Sequence, residues 1–488
     1  MSFNNQAIMK ILSMVILTVG LALVLPALFA FFVSEENEFK VFLGLSVFIT
    51  SIGFFALNVA RPADTYLKVR DSYLTVTLCW LTFALLGALP YLLSGITSSF
   101  IDAFFVSTAS FTTTGATVLK LNVLPKSILL WQGICNWLGG LGLLVLVISI
   151  IPNLGIGGKN LAEAEVTSST SDKVTNKLAD SMQHLYIIYI ALTLLEFLLL
   201  TLGPMDRFDS LLNTLSSIST SGLPSMYHPL SHYNSPYTEV VIASFSLVSS
   251  LNFALFYMLL QGDFKALIHN IEFRFFIGWI AICAALISAN LYFAHTYDLY
   301  HSIRYGIFQT ISMAATAGFT ISGHLNWPSF SLVILMVLIF VGGCTFSTSG
   351  GIKVSRLLVF LKLIERGYQK RLHPRSVVAV KIGSKPIPAK KVSILTIFIL
   401  LYAIFAIFGA LILSLDGYNL STTLSSSLSM LSNVGVGLDQ VADGDFSIYS
   451  APMRLVLCIL MLAGRLELFT FLALFMPSFW YPSKYKDS

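Results

Sequence analysis

The sequence predicts an all-α integral membrane protein of about ten transmembrane helices: two leading helices, then four repeats of helix, half-helix, loop and helix. Three observations lead there: the composition, the recurrence of apolar runs of bilayer length, and a glycine-centred string that returns four times. Of 488 residues 56% are hydrophobic and 11% charged, and the mean hydropathy is +0.81. Those values lie outside the range of a water-soluble globule.

Apolar runs near or above the roughly 18 to 20 residues that cross a bilayer fall at 9–33, 40–60, 73–94, 126–151, 183–203, 236–261, 273–294, 328–363, 392–415 and 452–476. The first is too long for the apolar core of a signal peptide and a second follows at once, so it reads as a retained helix. Five cysteines (Cys79, Cys135, Cys283, Cys344, Cys458) lie far apart with no C-x-x-C pair, as small buried apolar residues do. The histidines show no metal-ligand spacing, and the strings Ser219–Gly222 and Ser347–Gly350 lack a base partner. A hydrolase is disfavoured, and no covalent chemistry is needed.

With ten alternating spans and a cytoplasmic N-terminus, inner segments hold 22 of the 29 Lys and Arg, eleven of them between Lys353 and Lys391. The positive-inside rule then places both termini in the cytoplasm. Half of the acidic residues fall outside, several beside the recurring string, where they either concentrate cations at an outer vestibule or are merely solvated.

That string is ASFTTTGATV (109–118), SSISTSGLPS (216–225), MAATAGFTIS (313–322) and SMLSNVGVGL (429–438). Its glycines, Gly115, Gly222, Gly318 and Gly435, recur about every hundred residues, a period that suits an internally duplicated membrane domain. A dozen Ser/Thr-rich residues precede each glycine, with one span before and one after. In the first copy a helix over Ile101 to Thr113 would reach about 20 Å, only partway through a core of roughly 30 Å. The chain must therefore turn back. The division that follows is 1–70, two leading helices; 71–160, repeat one; 161–265, repeat two; 266–389, repeat three with an intramembrane loop and a basic cytoplasmic segment; and 390–488, repeat four.

Irregular backbone at membrane depth is tolerated only inside protein or around a water-filled cavity, so four such loops imply a shared cavity. Glycine accepts the positive φ that lets carbonyls turn to one axis. The half-helices aim their negative C-terminal ends at that axis, which favours a cation. The alternative, four small-residue helix-packing sites, does not account for four copies on one side, each between two spans.

These loops, with Trp137-Leu138-Gly139-Gly140-Leu141-Gly142, the run Gly342–Lys353 and Gly464-Arg465-Leu466-Glu467, resemble the Trk/Ktr/HKT superfamily of potassium transporters over essentially the whole chain. The two leading helices favour its longer bacterial branch. The resemblance implies four repeats around a pseudo-fourfold pore and potassium uptake across a bacterial inner membrane through a filter of backbone carbonyls at Thr113, Thr114, Gly115, Thr220, Ser221, Gly222, Thr316, Ala317, Gly318, Asn433, Val434 and Gly435. Gly115 favours potassium, since sodium-conducting plant relatives carry Ser in the first loop. Val436 departs from the proline of many relatives. It also implies a gate made of Gly342, Gly343, Cys344, Thr345, Phe346, Ser347, Thr348, Ser349, Gly350 and Gly351, faced by Arg465. Independently, the glycine and hydroxyl residues of 342–351 make a poor helix in an overlong eighth span, and a mid-span arginine rarely faces lipid. A flexible kink, and pairing of Arg465 with Glu467 or Glu196, are the alternatives.

The basic segment reads as positive-inside charge, as a contact for anionic lipid or, by the resemblance, as the docking surface of a cytosolic TrkA-type nucleotide-binding ring beneath a homodimer. The chain has no nucleotide-binding motif of its own. Potassium is the transported ion and no organic cofactor is implied. The rival from another class is an ion-coupled secondary transporter with substrate at broken helices, for which the spans offer only Glu196, Arg465 and Glu467.

Overall fold

The computed structural model describes residues 3–60, 67–140, 142, 172–222, 230–321, 327–375, 378–382 and 385–481. The leading pair is Asn5–Val33, stepped at Leu23 between Asn5–Ala22 and Val24–Val33, and Glu36–Val59. These two helices approach through small residues. A Cβ on Gly20 would meet the Thr50 backbone, a Cβ on Gly53 would meet Leu17, and Ser46 Oγ donates to the Gly20 carbonyl at 2.7 Å. Such close seams are how membrane helices gain dispersion contacts without a hydrophobic drive.

Each repeat then opens on a long apolar helix: Val69–Leu93, Asp172–Thr201, Ile271–Phe293 and Ala389–Leu413. A half-helix follows: Phe100–Phe111, Arg207–Ile218, Leu299–Ala314 and Leu420–Leu431. Three of these are 12 residues long, or about 18 Å, close to the reach expected for the first. Ser99, Asp206 and Asn419 accept backbone N–H bonds at the outer ends of three half-helices, satisfying donors that lipid or a narrow vestibule would not.

The closing helices differ from expectation. The predicted run 126–151 is seen as Lys126–Gly140, its remainder apart from Gly142 lying outside the described residues. The run 236–261, expected to be continuous, bends by 92° between Pro236–Ser249 and Phe253–Leu260, where Asn252 caps the new helix. The run 328–363 is interrupted as anticipated, between Ser329–Val341 and Val354–Leu372. The run 452–476 is also broken: Ala451–Arg465 ends at the arginine, and Leu468–Ala473 resumes after Glu467 at φ 59°. Arg465 is thus the last residue of a helix, not the middle of one.

Two ion pairs clamp the outer rim. Arg454 of the last repeat meets Asp102 on the first half-helix at 2.5 Å, and Arg304 on the third half-helix grips Glu239 of the second repeat through two bonds of 2.7 Å. Each joins a half-helix to the closing helix of the preceding repeat, the first repeat to the fourth and the third to the second.

Candidate functional site

All four half-helices end the same way. Thr113, Thr220, Thr316 and Asn433 adopt φ of 55°, 53°, 53° and 54°, in the left-handed region that β-branched threonine rarely enters. In each case this residue donates its N–H to the carbonyl three back (Thr113 to Ser110, Thr220 to Ser217, Thr316 to Met313, Asn433 to Met430). The following residue donates five back: Thr114 to Ala109, Ser221 to Ser216, Ala317 to Ser312 and Val434 to Ser429, at 2.8–2.9 Å. This is the Schellman closure of a helix C-terminus, with Thr or Asn where Gly is usual. The glycine comes two residues later, again at positive φ: 73°, 49°, 68° and 82°.

Around the axis these glycines touch in strict order. A Cβ on Gly115 would lie 1.8 Å from the Ser221 carbonyl oxygen; on Gly222, 1.5 Å from that of Ala317; on Gly318, 2.1 Å from that of Val434; on Gly435, 1.7 Å from that of Thr114. Repeat one abuts two, two abuts three, three abuts four and four abuts one. Hence all twelve residues expected at the loops come together in one ring, buried in the protein. The obstructing atoms are backbone, so a side chain at any of the four glycines forces the facing loop to shift. The ring sits at the negative ends of four half-helices, a potential that attracts a cation. Its outer edge is tied by the parallel bridge between Thr117 and Asp445, with Thr117 N–H to the Gly444 carbonyl at 3.0 Å.

Beneath the ring lies the excursion Gly342–Gly351. Its neck is closed: Ile352 N–H donates to the Phe340 carbonyl, Val354 N–H to that of Gly343, and a Cβ on Gly342 would lie 2.2 Å from the Gly350 carbonyl oxygen. Gly342 has φ 72° and ψ −163°, a conformation open essentially to glycine alone. The tip is tucked under the ring. Gly350 N–H donates to Thr316 Oγ1 at 2.8 Å, Thr220 Oγ1 donates to Thr348 Oγ1 at 3.2 Å, and Gly350 lies close against the Ser432 carbonyl. The bend in the second repeat completes the seat, since Cys344 N–H donates to the Ser250 carbonyl, Thr348 N–H to that of Ser249, and Phe253 N–H to that of Phe346. Broken backbone at membrane depth is thereby satisfied within the protein.

Arg465 reaches this loop. Its guanidinium donates to the Thr348 carbonyl at 3.3 Å and to the carbonyls of Gly140, at 2.8 Å, and Gly139. It also lies over the Trp80 ring. The expected alternative partners are engaged elsewhere: Glu467 with Arg356 at 2.7 Å, Glu196 with Ser217 Oγ. Sequence reasoning missed three charged groups here, Glu272 and Arg356 buried and Lys353 part-buried. Glu272 accepts from Thr345 N–H (2.7 Å) and Oγ1 (2.8 Å), Lys353 Nζ donates to the carbonyls of Ser349 (2.7 Å) and Cys344 (3.2 Å), and Arg356 holds Glu467. The position of Lys353 directly after the glycine run was a signal for the second; nothing local marked Glu272.

Many outer acids serve the frame. Glu35 caps Lys126 and Ser127, Asp416 accepts from Ser450, Tyr233 donates to Asp209, and Asn419 donates to Asp439. Asp298, just before the third half-helix, accepts from His301, which holds its carboxyl below the usual range.

Four span–half-helix–span units closed into a ring, with four strained loops meeting on one axis and a loop lodged below them, define a multi-span membrane protein of the pore-repeat class. The chain belongs to the TrkH family of cation transport proteins, whose family model matches residues 40–481. It is 33% identical over 480 residues to the Trk system potassium uptake protein TrkH of Escherichia coli (strain K12), covering 97% of this chain and 99% of the relative. To the Trk system potassium uptake protein TrkG of the same strain it is 31% identical over 466 residues, covering 94% and 96%. The crystal structure of the potassium transporter TrkH from Vibrio parahaemolyticus matches with a TM-score of 0.87 at 31% identity, covering 97% of this chain and 99% of that one.

Proposed function

We propose that this protein takes up potassium across the bacterial inner membrane through the ring at Thr113–Gly115, Thr220–Gly222, Thr316–Gly318 and Asn433–Gly435, whose carbonyls replace the hydration shell of the ion. The observation that carries this reading is the cyclic contact of each glycine with the carbonyl preceding the next repeat's glycine. It forces four identical oxygen-bearing backbones into one ring. The names of the relatives, potassium uptake proteins, agree with it. Downhill entry is driven by the membrane potential, about 2.3 kcal/mol per charge per 100 mV.

The segment Gly342–Gly351 is the gate, and Arg465, bonded to its Thr348 carbonyl, adds a fixed positive charge below the ring that opposes cations while the loop is seated. Both termini are cytoplasmic. The helix Val354–Leu372 exposes Lys362, Lys370 and Arg371, a surface suited to a cytosolic TrkA-type nucleotide-binding ring under a homodimer. The units are 1–70, 71–160, 161–265, 266–389 and 390–488.

The test is cation flux into proteoliposomes holding the purified protein, potassium against sodium, for the natural sequence and Gly115→Ser, each with and without Arg465→Ala to release the gate. Potassium-selective flux that loses selectivity in Gly115→Ser is the expected result. Equal, fully selective flux in both would remove Gly115 from the filter.

A further inference from the structure

The gating loop and Arg465 come from different repeats, yet one helix end holds both. Val354–Leu372 begins at the neck of the loop, and Lys353, immediately before it at φ 79°, laces the loop through the carbonyls of Cys344 and Ser349. Three residues on, Arg356 points the other way. Its Nη2 donates to Glu467 Oε1 at 2.7 Å, its Nη1 donates to the Ile352 carbonyl at 3.3 Å, and its guanidinium lies 4.0 Å over the Phe398 ring. Arg356 is 3% exposed and Glu467 16%. Glu467 stands in the break of the last span, two residues beyond Arg465.

Resting on the gate reading above, we propose that the Arg356–Glu467 ion pair is the joint that makes the loop and the Arg465 arm move together when the cytoplasmic helix Val354–Leu372 is displaced. The first turn of that helix is bonded to the loop neck on one side and to the last-span break on the other. A push on its exposed basic end therefore acts on both halves of the gate at once. Losing one partner leaves the other as a buried uncompensated charge, and the segment that bears it, the break for Glu467 or the first helical turn for Arg356, then gains by moving toward water, which unties the loop neck from the Arg465 arm. Arg356 and Glu467 are positioning residues; neither touches the ring.

Cys344, in the loop and 1% exposed, is a built-in reporter once Cys79, Cys135, Cys283 and Cys458 are replaced by Ala. Potassium flux into proteoliposomes and the rate of Cys344 labelling by a small water-soluble thiol reagent are measured for Arg356→Gln, Glu467→Gln, their combination, the swap Arg356→Glu with Glu467→Arg, and the shortened pair partner Glu467→Asp. Each Gln variant is expected to raise both readouts about tenfold, the combination no further than either alone, and the swap and Glu467→Asp to fall between these and the parent. Unchanged labelling and flux in folded single variants, or additive effects in the combination, overturn the joint. Deleting residues 344–349 separates the two ideas. If deletion leaves flux unchanged, the gate reading fails; if deletion raises flux and the Gln variants do not, only the joint fails.

Discussion

The four glycine loops and the helix breaks beneath them lie on the same axis, yet the loops repeat one backbone while the breaks do not repeat at all. At the residue ending each half-helix φ is held between 53° and 55° in all four copies. Among the described residues the second repeat bends over Ser250–Asn252, the third leaves the helix for Gly342–Lys353, and the fourth turns at Leu466–Glu467. The difference follows from what each element touches. A loop in a ring meets the next copy of itself, so a change in one copy strains two. A break meets a different neighbour in each repeat, so one can grow into a long loop while the others remain bends that seat it.

The largest effect is expected where the ring is tightest. Gly222→Ala would put a methyl 1.5 Å from the Ala317 carbonyl oxygen at a φ of 49°, and backbone cannot yield as a side-chain tip can. Potassium uptake should fall by at least a hundredfold, read as rescue of growth at low potassium, with the protein still present in the membrane. If Gly222→Ala conducts normally, the ring is looser than these contacts require. Next, Arg465→Ala removes the bonds to Thr348, Gly139 and Gly140 and should raise basal flux about tenfold; unchanged flux would take the arginine out of the gate.

A smaller change separates ring from gate. Thr316→Ala loses the acceptor for Gly350 N–H, a bond worth about 1 kcal/mol net, so basal flux should rise roughly fivefold with selectivity kept. The matching Thr113→Ala, whose side chain makes no hydrogen bond to the loop among the described residues, should leave basal flux within about twofold of the parent. Equal responses would mean that the loop leans on all repeats alike. The smallest effect is expected at the surface: Glu365→Gln breaks a half-exposed pair with Lys362 and should shift the melting temperature by less than a degree or so, since such pairs contribute about 0–1 kcal/mol.

Much of this was legible in the sequence. The period of about a hundred residues, the too-short apolar segments before Gly115, Gly222, Gly318 and Gly435, and the glycine run in the eighth span all report local constraints: bilayer thickness, positive φ, poor helix propensity. The bend at Ser250–Asn252 was not legible, because Ser249, Ser250 and Asn252 are small polar residues that a run as long and apolar as 236–261 can carry unbroken, and the acceptor role of Ser249 and Ser250 toward the loop is what makes the break favourable. Arg465 was legible as costly, but not its partners. Glu467 read as an intramembrane acid and an alternative partner for Arg465, whereas its partner is Arg356, 111 residues earlier.

By itself the sequence determined that the chain is a multi-span membrane protein, how many loops turn back, and that each loop carries a glycine, because hydropathy, length and backbone freedom act over a few residues at a time. The tertiary structure alone decided that Gly115 meets Ser221 and Gly435 meets Thr114, that the Gly342–Gly351 loop rests on Thr220, Thr316 and Arg465, and that Arg356 reaches Glu467. Those contacts join residues far apart in the chain, and their partners are chosen by which carbonyls and charges would otherwise be buried unpaired once the ring has closed.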